Sequence, residues 1–506
     1  MAIRTGQQFL AGLKGDREIW VDGERVKDVA SDPRFAGAAQ SIAELFDIQN
    51  EPERRDQMTY PSPTSGQPVG LSFLLPDSKE DLTRRREMVK VWMDHTCGMF
   101  GRSADFMNCL MTGMAAAHLD FERPEHPFGR YLFDYYEHIR EHDLVLTHTL
   151  VPPQVDRSRP VEEQTKDVAA RIVKETDAGF VIRGARIVTT LCAFSDELMA
   201  APSVYLNLNE EARAYAYSFS IPMATPGLKF LCRPSLVNQN VASPMDAPLG
   251  NRLDEGDGVV IFDDVLVPWE RTFVYRDIEM CNGLFPRTGT MYHMAHQFST
   301  KNLAKAEFMM GLGFAIAQST KVDAHLHVQN LLAEMINYTE FVRACLVASE
   351  ANASRWYHGT FVPDPMPLWT VRQMFPKMFH RMCEIIQLIG AGGIVAVPSY
   401  AEIDGPMKEA VDKYCQSAGS DSPTRIKLFR LAFDAAVSGF SGRQQLYERY
   451  YSGDPVRLAG ALYNGYDRDT YIDRIHAMLD DLESRMASGP NRFTFGARRT
   501  TAEAAE

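Results

Sequence analysis

The sequence predicts a mainly helical α+β protein, and two observations carry that expectation: a β-rich stretch lies between two helical ones, and no βαβ alternation occurs. The expected parts are a mostly helical amino-terminal domain (1–146), a middle antiparallel β domain (147–280), and a carboxy-terminal helical bundle with a tail (281–506). A length of 506 residues fits three units at about 150 residues each. A hydrophobic content of 45% with 24% charged residues excludes a disordered or collagen-like chain.

In the first part, Ser78 and the acidic residues after it mark a helix start. Val89, Val91, Trp92, Cys97, Met99, Phe100, Phe106, Leu110 and Met111 then recur on helical spacings, and Gly98 and Gly101 place a break close to Arg102. In the middle part, Phe180-Val181-Ile182 and Ala185 to Val188 flank Arg183-Gly184, Tyr215 to Ile221 alternates, and Val259 to Phe262 precedes Val265-Leu266-Val267-Pro268. Short β-rich runs punctuated by Gly, Pro and Asp read as a small antiparallel sheet or barrel. The last part predicts helices over Leu303–Gln318, Val328–Trp356, Val371–Ile389, Arg425–Tyr451 and Tyr471–Met486. Their apolar stripes must bury on one another, which makes a bundle.

A net charge of −13 argues against a general nucleic-acid binder. No window approaches 18 consecutive apolar residues and the opening MAIRTGQQFLAGL lacks a signal core, so the expected protein is soluble, cytoplasmic and not membrane-bound. The eight cysteines lie far apart with no CxxC, which predicts reduced thiols and neither zinc nor c-type haem. A strand-linked GxGxxG, GxxxxGK[ST], HExxH and GxSxG are all missing.

The remaining chemistry is diffuse. In Gly101-Arg102-Ser103-Ala104-Asp105-Phe106 the arginine either pairs with Asp105 or presents its guanidinium fork to a ligand. In Leu146 to Arg157, Pro152 and Pro153 fix an extended chain, leaving backbone and side chains near His148 and Gln154 open to ligand contacts or to structural hydrogen bonds. His293 and His296, spaced i, i+3, share a helical face; no matching carboxylate or cysteine accompanies them, so a metal is disfavoured against a general-base or packing role. Gly390 to Gly393 reads as a helix cap or an anion nest, and Phe440 to Arg457 as an aromatic, basic helix followed by a Gly-Asp-Pro turn.

Taken together and in order, RTGQQFLAGLKGDREIWVDGERV, GRSADF, THTLVPPQVDRS, GARIVTTLCAFSDE, FDDVLVPWERTFVY, HQFSTKNLAKAEF, LIGAGGIVAVPS and SGFSGRQQLYERYYSGDPVR resemble the large (oxygenase) component family of 4-hydroxyphenylacetate 3-monooxygenase. The resemblance implies an acyl-CoA-dehydrogenase-like fold with a middle β-barrel, assembled as a homotetramer. It implies FAD as cofactor, delivered as FADH2 by a separate NAD(P)H:flavin reductase. Dioxygen and a C4a-hydroperoxyflavin then hydroxylate a phenolic substrate ortho to its hydroxyl.

By the same resemblance, Arg102 and His148 are catalytic and contact substrate together with Ser103, Phe106 and Ser203. His148, Thr149, Leu150, Gln154, Val155, Asp156, Arg157, Thr190, Arg443, Gln444, Gly453, Asp454, Pro455 and Val456 correspond to cofactor-binding positions. His293 or His296 matches the histidine base of related halophenol and nitrophenol oxygenases. Where the hydroxyphenylacetate enzymes carry Pro and Tyr, this chain has Ala104 and Phe106, so a tyrosine-derived, halogenated or nitrated phenol is as well suited as hydroxyphenylacetate.

Three other classes remain in view. A 4-hydroxybutyryl-CoA dehydratase needs cluster-ligating cysteines, but Gly101 stands four residues after Cys97 and no cysteine follows His293 within ten residues. An acyl-CoA dehydrogenase needs a carboxylate base, for which Glu384 and Glu448 are present but lie in segments unlike that family's. A non-enzymatic flavin-binding protein is the last.

Overall fold

The computed structural model describes residues 3–203 and 205–488. The chain divides into two compact units, Met1–Ser452 and Gly453–Glu506.

The first unit opens with α1 (Gly6–Gly12), the hairpin β1 (Glu18–Val21) and β2 (Glu24–Arg25), α2 (Ala36–Asn50), α3 (Arg55–Met58) and the hairpin β3 (Thr59–Pro61) and β4 (Pro68–Gly70). Then come α4 (Lys79–His95), α5 (Ala104–Ala116) and α6 (Phe128–His142). Ser78 caps α4 by accepting from the Asp81 amide, as its place before an acidic first turn predicts. The expected break falls between α4 and α5, where Cys97 and Gly98 take left-handed φ values of +55° and +63°.

Next follow β5 (Leu146–Thr149), β6 (Arg171–Thr176), β7 (Gly179–Thr190), β8 (Glu197–Ala200), β9 (Tyr217–Pro222), β10 (Leu228–Cys232), α7 (Gly250–Leu253), β11 (Asp257–Pro268) and β12 (Thr272–Tyr275). They build a six-stranded sheet, β2-β1-β10-β11-β7-β6, and a four-stranded one, β12-β9-β8-β5. Phe219 on β9 packs on Phe180 and Phe262 of the larger sheet at 5.9 and 6.1 Å, joining the two through aromatic edges. Against the sequence expectation of an antiparallel domain, β1 runs parallel to β10 and β5 parallel to β8. Among the described residues neither sheet closes on itself. Turn signals between neighbouring β runs point to hairpins, but β1 arrives from far along the chain and β5 meets β8 across the β6–β7 hairpin, so no tight turn dictates their direction.

The helical remainder comprises α8 (Ile278–Arg287), α9 (Thr290–Thr320), α10 (Leu326–Ala351), the hairpin β13 (Ser354–Arg355) and β14 (Phe361–Val362), α11 (Pro365–Val395), α12 (Lys408–Tyr414), α13 (Ser422–Ala436) and α14 (Gly439–Tyr450). Ile316, Met335, Phe375, Met382 and Ile386 are buried where α9, α10 and α11 meet.

Two expectations change and one break is met. The helix predicted from Leu303 begins at Thr290, so both histidines lie inside it. The single helix predicted over Arg425–Tyr451 is two, because Ser438 caps a new helix by accepting from the Ser441 amide. The Gly390–Gly393 run does interrupt the helix: Ala391, with φ 45° and ψ −144°, is non-helical and joins two helical stretches across a kink within α11. The second unit contains α15 (Pro455–Gly465) and α16 (Asp469–Ser488).

At Gly184 in β7, φ is +115° and an added Cβ would lie 2.6 Å from the Ala169 carbonyl oxygen. Gly184→Ala is expected to cost about 1–3 kcal/mol, read as a lowered midpoint in urea with an unchanged slope.

Candidate active site

The connection between α4 and α5 lies pressed between helices. A Cβ on Gly98 would come within 2.6 Å of the Lys305 amide nitrogen of α9, and one on Gly101 would run into the Tyr447 ring of α14. Only glycine allows both approaches. They deliver Arg102, which is 7% exposed, to a fixed set of partners. Its backbone amide donates to Glu255 Oε1 at 2.7 Å, Nη1 donates to the Tyr447 hydroxyl at 2.8 Å, and Nη2 to the Tyr451 carbonyl at 2.7 Å. The guanidinium carbon lies 4.0 Å from the centre of the Phe106 ring.

Phe106 in turn meets the His148 ring edge-on at 5.7 Å. One phenylalanine thus separates the arginine from the histidine. Among the described residues no carboxylate pairs with the Arg102 guanidinium. Asp105 instead accepts from Gln297 Nε2 at 2.6 Å, and burial pushes its carboxyl up to about 6.

β5 holds His148 and Thr149 beside β8. Burial, then the nearby Arg102 charge, pushes the His148 imidazole down to about 3, so the ring is neutral near pH 7. Its Nδ1 and the Thr149 hydroxyl are buried without a partner. Thr147 Oγ1 donates to the Thr190 carbonyl at 2.6 Å, and Thr190 Oγ1 donates to Asp257 Oδ1 at 2.7 Å.

Glu255 and Asp257 tie these parts together. Glu255 Oε2 accepts from Arg443 Nη1 at 2.7 Å, and Asp257 accepts from Arg443 Nε and Nη2 at 3.1 and 2.8 Å and from Arg233 Nε at 2.9 Å. Burial works against the Asp257 charge, yet Arg443 and Arg233 hold its carboxyl well below the usual range. Gln444 donates to the Met99 carbonyl at 3.0 Å and accepts from Lys305 at 2.9 Å.

Two family models cover the chain: the amino-terminal part of 4-hydroxyphenylacetate 3-hydroxylase matches residues 5–274, and the carboxy-terminal part matches 281–480. The chain belongs to the 4-hydroxyphenylacetate 3-hydroxylase family. It is 40% identical over 480 residues to the 4-hydroxyphenylacetate 3-monooxygenase oxygenase component of Thermus thermophilus, covering 94% of this chain and 98% of that one. A 4-nitrophenol 2-monooxygenase oxygenase component from a Rhodococcus species is 32% identical, covering 89% and 86%.

A crystal structure of a 4-hydroxyphenylacetate 3-monooxygenase oxygenase component complexed with FAD and 4-hydroxyphenylacetate is 40% identical, with a TM-score of 0.90 over 95% of this chain and 99% of that one. An archaeal 4-hydroxybutyryl-CoA dehydratase shares the fold at a TM-score of 0.83, with 19% identity and 95% of each chain covered.

Within this 4-hydroxyphenylacetate 3-hydroxylase fold, the other expected residues fall into three groups. Ser103 is buried at the head of α5, and Ser203 lies at the exit of β5, its amide and hydroxyl both donating to the Leu150 carbonyl at 3.1 Å. Gln154, Val155, Asp156 and Arg157 form an outer loop in which Asp156 accepts from Ser158 and pairs with Arg159 at 3.4 Å. Among the described residues, no hydrogen bond or ion pair links that loop to Arg102 or His148. In the second unit, Gly453 has φ +118°, Asp454 caps α15 by accepting from the Val456 and Arg457 amides, Pro455 starts the helix, and Val456 is exposed. The Gly-Asp-Pro turn is a helix cap there.

Of the histidines, His293 Nδ1 meets Arg85 Nη2 at 2.9 Å, while His296 Nε2 meets Glu350 Oε1 at 2.8 Å. Burial lowers both, with Arg85 adding to the fall at His293. From α9, Gln297 bonds Asp105 and Thr290 bonds the Leu110 carbonyl of α5, whereas the side-chain hydrogen bonds of the two histidines go to Arg85 and Glu350. The carboxylates considered for a dehydrogenase base are engaged elsewhere: Glu384 accepts from Arg381 at 2.7 Å, and Glu448 binds Lys301 and Lys305. Among the described residues no three His, Cys, Asp or Glu side chains converge to hold a metal ion.

The residues that sequence reasoning missed are Glu255, Tyr447, Tyr451, Gln297 and the Lys301–Lys305 pair. A signal existed for some: positions 443, 447 and 451 share a helical face, and Lys301 and Lys305 have the i, i+4 spacing of one helical face.

A buried acid raised to about 6 binds more protons folded than unfolded between about pH 4 and 6, so its contribution falls as pH rises through that window. The wild type is therefore expected to lose stability relative to Asp105→Asn between pH 4 and 6, measured by denaturant unfolding at both values. A constant difference would rule out a raised Asp105.

Proposed function

We propose that this protein is the oxygenase component of a two-component flavin-dependent monooxygenase, using FADH2 and dioxygen to hydroxylate a phenol ortho to its hydroxyl. The observation that carries this reading is the stack of Arg102, Phe106 and His148, with His148 Nδ1 buried and unpartnered. A flat ring system with polar edges suits those groups, so the residues fit an isoalloxazine together with an aromatic alcohol. His148, Thr149, Leu150, Thr190, Arg443 and Gln444 are assigned to the cofactor side, and Arg102, Ser103, Phe106, His148 and Ser203 to the substrate.

Bound reduced FAD supplies the electrons that activate dioxygen for transfer of one oxygen atom. The chain's residues do the positioning. A His148 ring this weakly basic accepts the phenolic hydrogen as a hydrogen bond, orienting the hydroxyl and enriching the adjacent ring carbon. The fixed Arg102 cation stabilises negative charge as it develops. Phe106 sets width without offering a hydrogen bond, which favours a phenol chosen by shape. Hydroxyphenylacetate, nitrophenol and tyrosine-derived phenols share a para substituent, and that class is the assigned substrate. Of the two histidines, His293 is the better placed to meet a ligand, and as a donor: Arg85 donates to its Nδ1, which leaves the hydrogen on the buried, unpartnered Nε2, while His296 is spent on Glu350.

The reading includes a separate NAD(P)H:flavin reductase, a cytoplasmic setting and a homotetramer. Support for assembly comes from α16, which exposes Ile472, Ile475, Leu479, Leu482 and Met486. It also includes the three-part division at 146 and 280, with the two sheets as the barrel layer; the gap between the family matches, from 274 to 281, supports the second boundary.

Protein mixed with photoreduced FAD, oxygen and a panel of para-substituted phenols is expected to yield products heavier by one oxygen atom. Arg102→Ala and His148→Ala should each lower conversion about 100-fold. Equal conversion by both variants and the wild type would overturn the assignment.

A further inference from the structure

Behind the Tyr447 and Tyr451 rings lies a fully buried cluster of two cations and one carboxylate. Lys301 and Lys305 of α9 and Glu448 of α14 have no exposed side-chain surface. Both ammonium groups donate to the same Glu448 oxygen, Lys305 at 2.6 Å, while Glu448 Oε2 has no partner. Lys305 also donates to Gln444 Oε1 at 2.9 Å. Among the described residues Lys301 has no second oxygen; its Nζ faces the rings of Tyr451, Tyr447 and Phe375 at 5.0, 5.2 and 5.9 Å.

One carboxylate balances one ammonium, so the other is uncompensated in a low-dielectric interior, and Lys301 is the less well held. Burial, with Lys305 and Arg102 adding repulsion, lowers Lys301 to about 7 despite Glu448. The charged and titratable groups around it are Lys305 along α9, Glu448 and Tyr447 from α14, Tyr451 just beyond, and Arg102 from the α4–α5 connection; α11 brings the Phe375 ring, with Cys383 beside Lys305 and Glu448 and Arg372 beside Tyr451.

We propose that Lys301 is a proton-coupled charge partner for the anion that binds beside Arg102: its amine takes up one proton from solvent when anionic reduced FAD binds, and gives it up when that charge leaves. This rests on the flavin reading above and deepens it. Arg102 and Lys301 address the same two tyrosine rings, at 5.4 and 5.6 Å for the arginine carbon, so an anion beside one is felt by the other. The bookkeeping closes: an N–H bond forms on Lys301, the proton comes from buffer, and no electrons move. Lys301 does not touch the reacting atoms, so it is a positioning residue for charge.

The test compares the wild type with Lys301→Met, titrated anaerobically with reduced FAD and, separately, with oxidised FAD, whose ring is neutral. Wild type is expected to bind reduced FAD about tenfold more tightly than Lys301→Met at pH 6 and equally at pH 9. Oxidised FAD should show no such change. The ligand's own titration is common to both proteins and cancels.

Calorimetry at pH 8 in two buffers of different ionisation enthalpy should count proton uptake in the wild type that the variant lacks. A buried amine lowered to about 7 also binds fewer protons folded than unfolded up to about pH 10, so wild type should gain thermal stability relative to the variant between pH 7 and 10. A reduced-FAD affinity ratio unchanged by pH overturns the inference alone. Failure of the wild type to bind reduced FAD overturns it together with the flavin assignment. Should Lys301→Met not fold, the wild-type proton count decides, and zero uptake overturns the inference.

Discussion

Glu255 carries no water-exposed surface and spends both oxygens on groups from distant parts of the chain, the Arg102 amide and the Arg443 guanidinium. A buried carboxylate is tolerated only when it is fully bonded, and here the bonding is structural in the widest sense. It fixes the backbone at the start of α5 to the face of α14, while Asp257, two residues on, fixes the same arginine to Thr190 at the end of β7. Helices and sheet meet at that bridge. Remove its charge, and the arginine, the tyrosines and the histidine strand have no common reference.

The glycines at 98 and 101 serve the same constraint from the other side. Hydrogen bonds fix direction, but they fix distance only if nothing intervenes. The missing Cβ atoms let the α4–α5 connection sit on α9 and α14 at backbone range. The aromatic ring of Phe106 then fills the space between the two polar groups without a hydroxyl of its own, so polarity at the site is concentrated at its ends.

Much of this was legible in the residues. Ser78 before an acidic turn marked a helix start, Gly98 and Gly101 marked its break, and the β runs near 180, 217 and 260 all form strands. What failed did so for physical reasons. Helix ends depend on local hydrogen bonds such as that of Ser438, which a periodicity in apolar residues does not register. Parallel pairing of β1 with β10 depends on tertiary contact, which local turn chemistry does not encode. At the site, a glycine break and a pair of prolines singled out the segments of Arg102 and His148, but the residues alone left ligand contact and structural bonding both open, and the roles expected of them came from the family resemblance. Glu255, Tyr447 and Lys301 were not legible, because an acid, a tyrosine or a lysine on a helix reads as surface until the partner that neutralises it is known.

α9 runs 31 residues, about 46 Å at the usual rise, and carries His293, Gln297, Lys301 and Lys305 in one unbroken run. His293 meets Arg85, Gln297 meets Asp105 and both lysines meet Glu448, so the helix fixes their mutual phase. Gain or loss of one residue inside 297–305 would rotate everything beyond it by about 100° and detach one group of contacts from the other. Diversification along this rod is therefore confined to exchanges of side chains at constant length, while insertions and deletions are left to the loops around it.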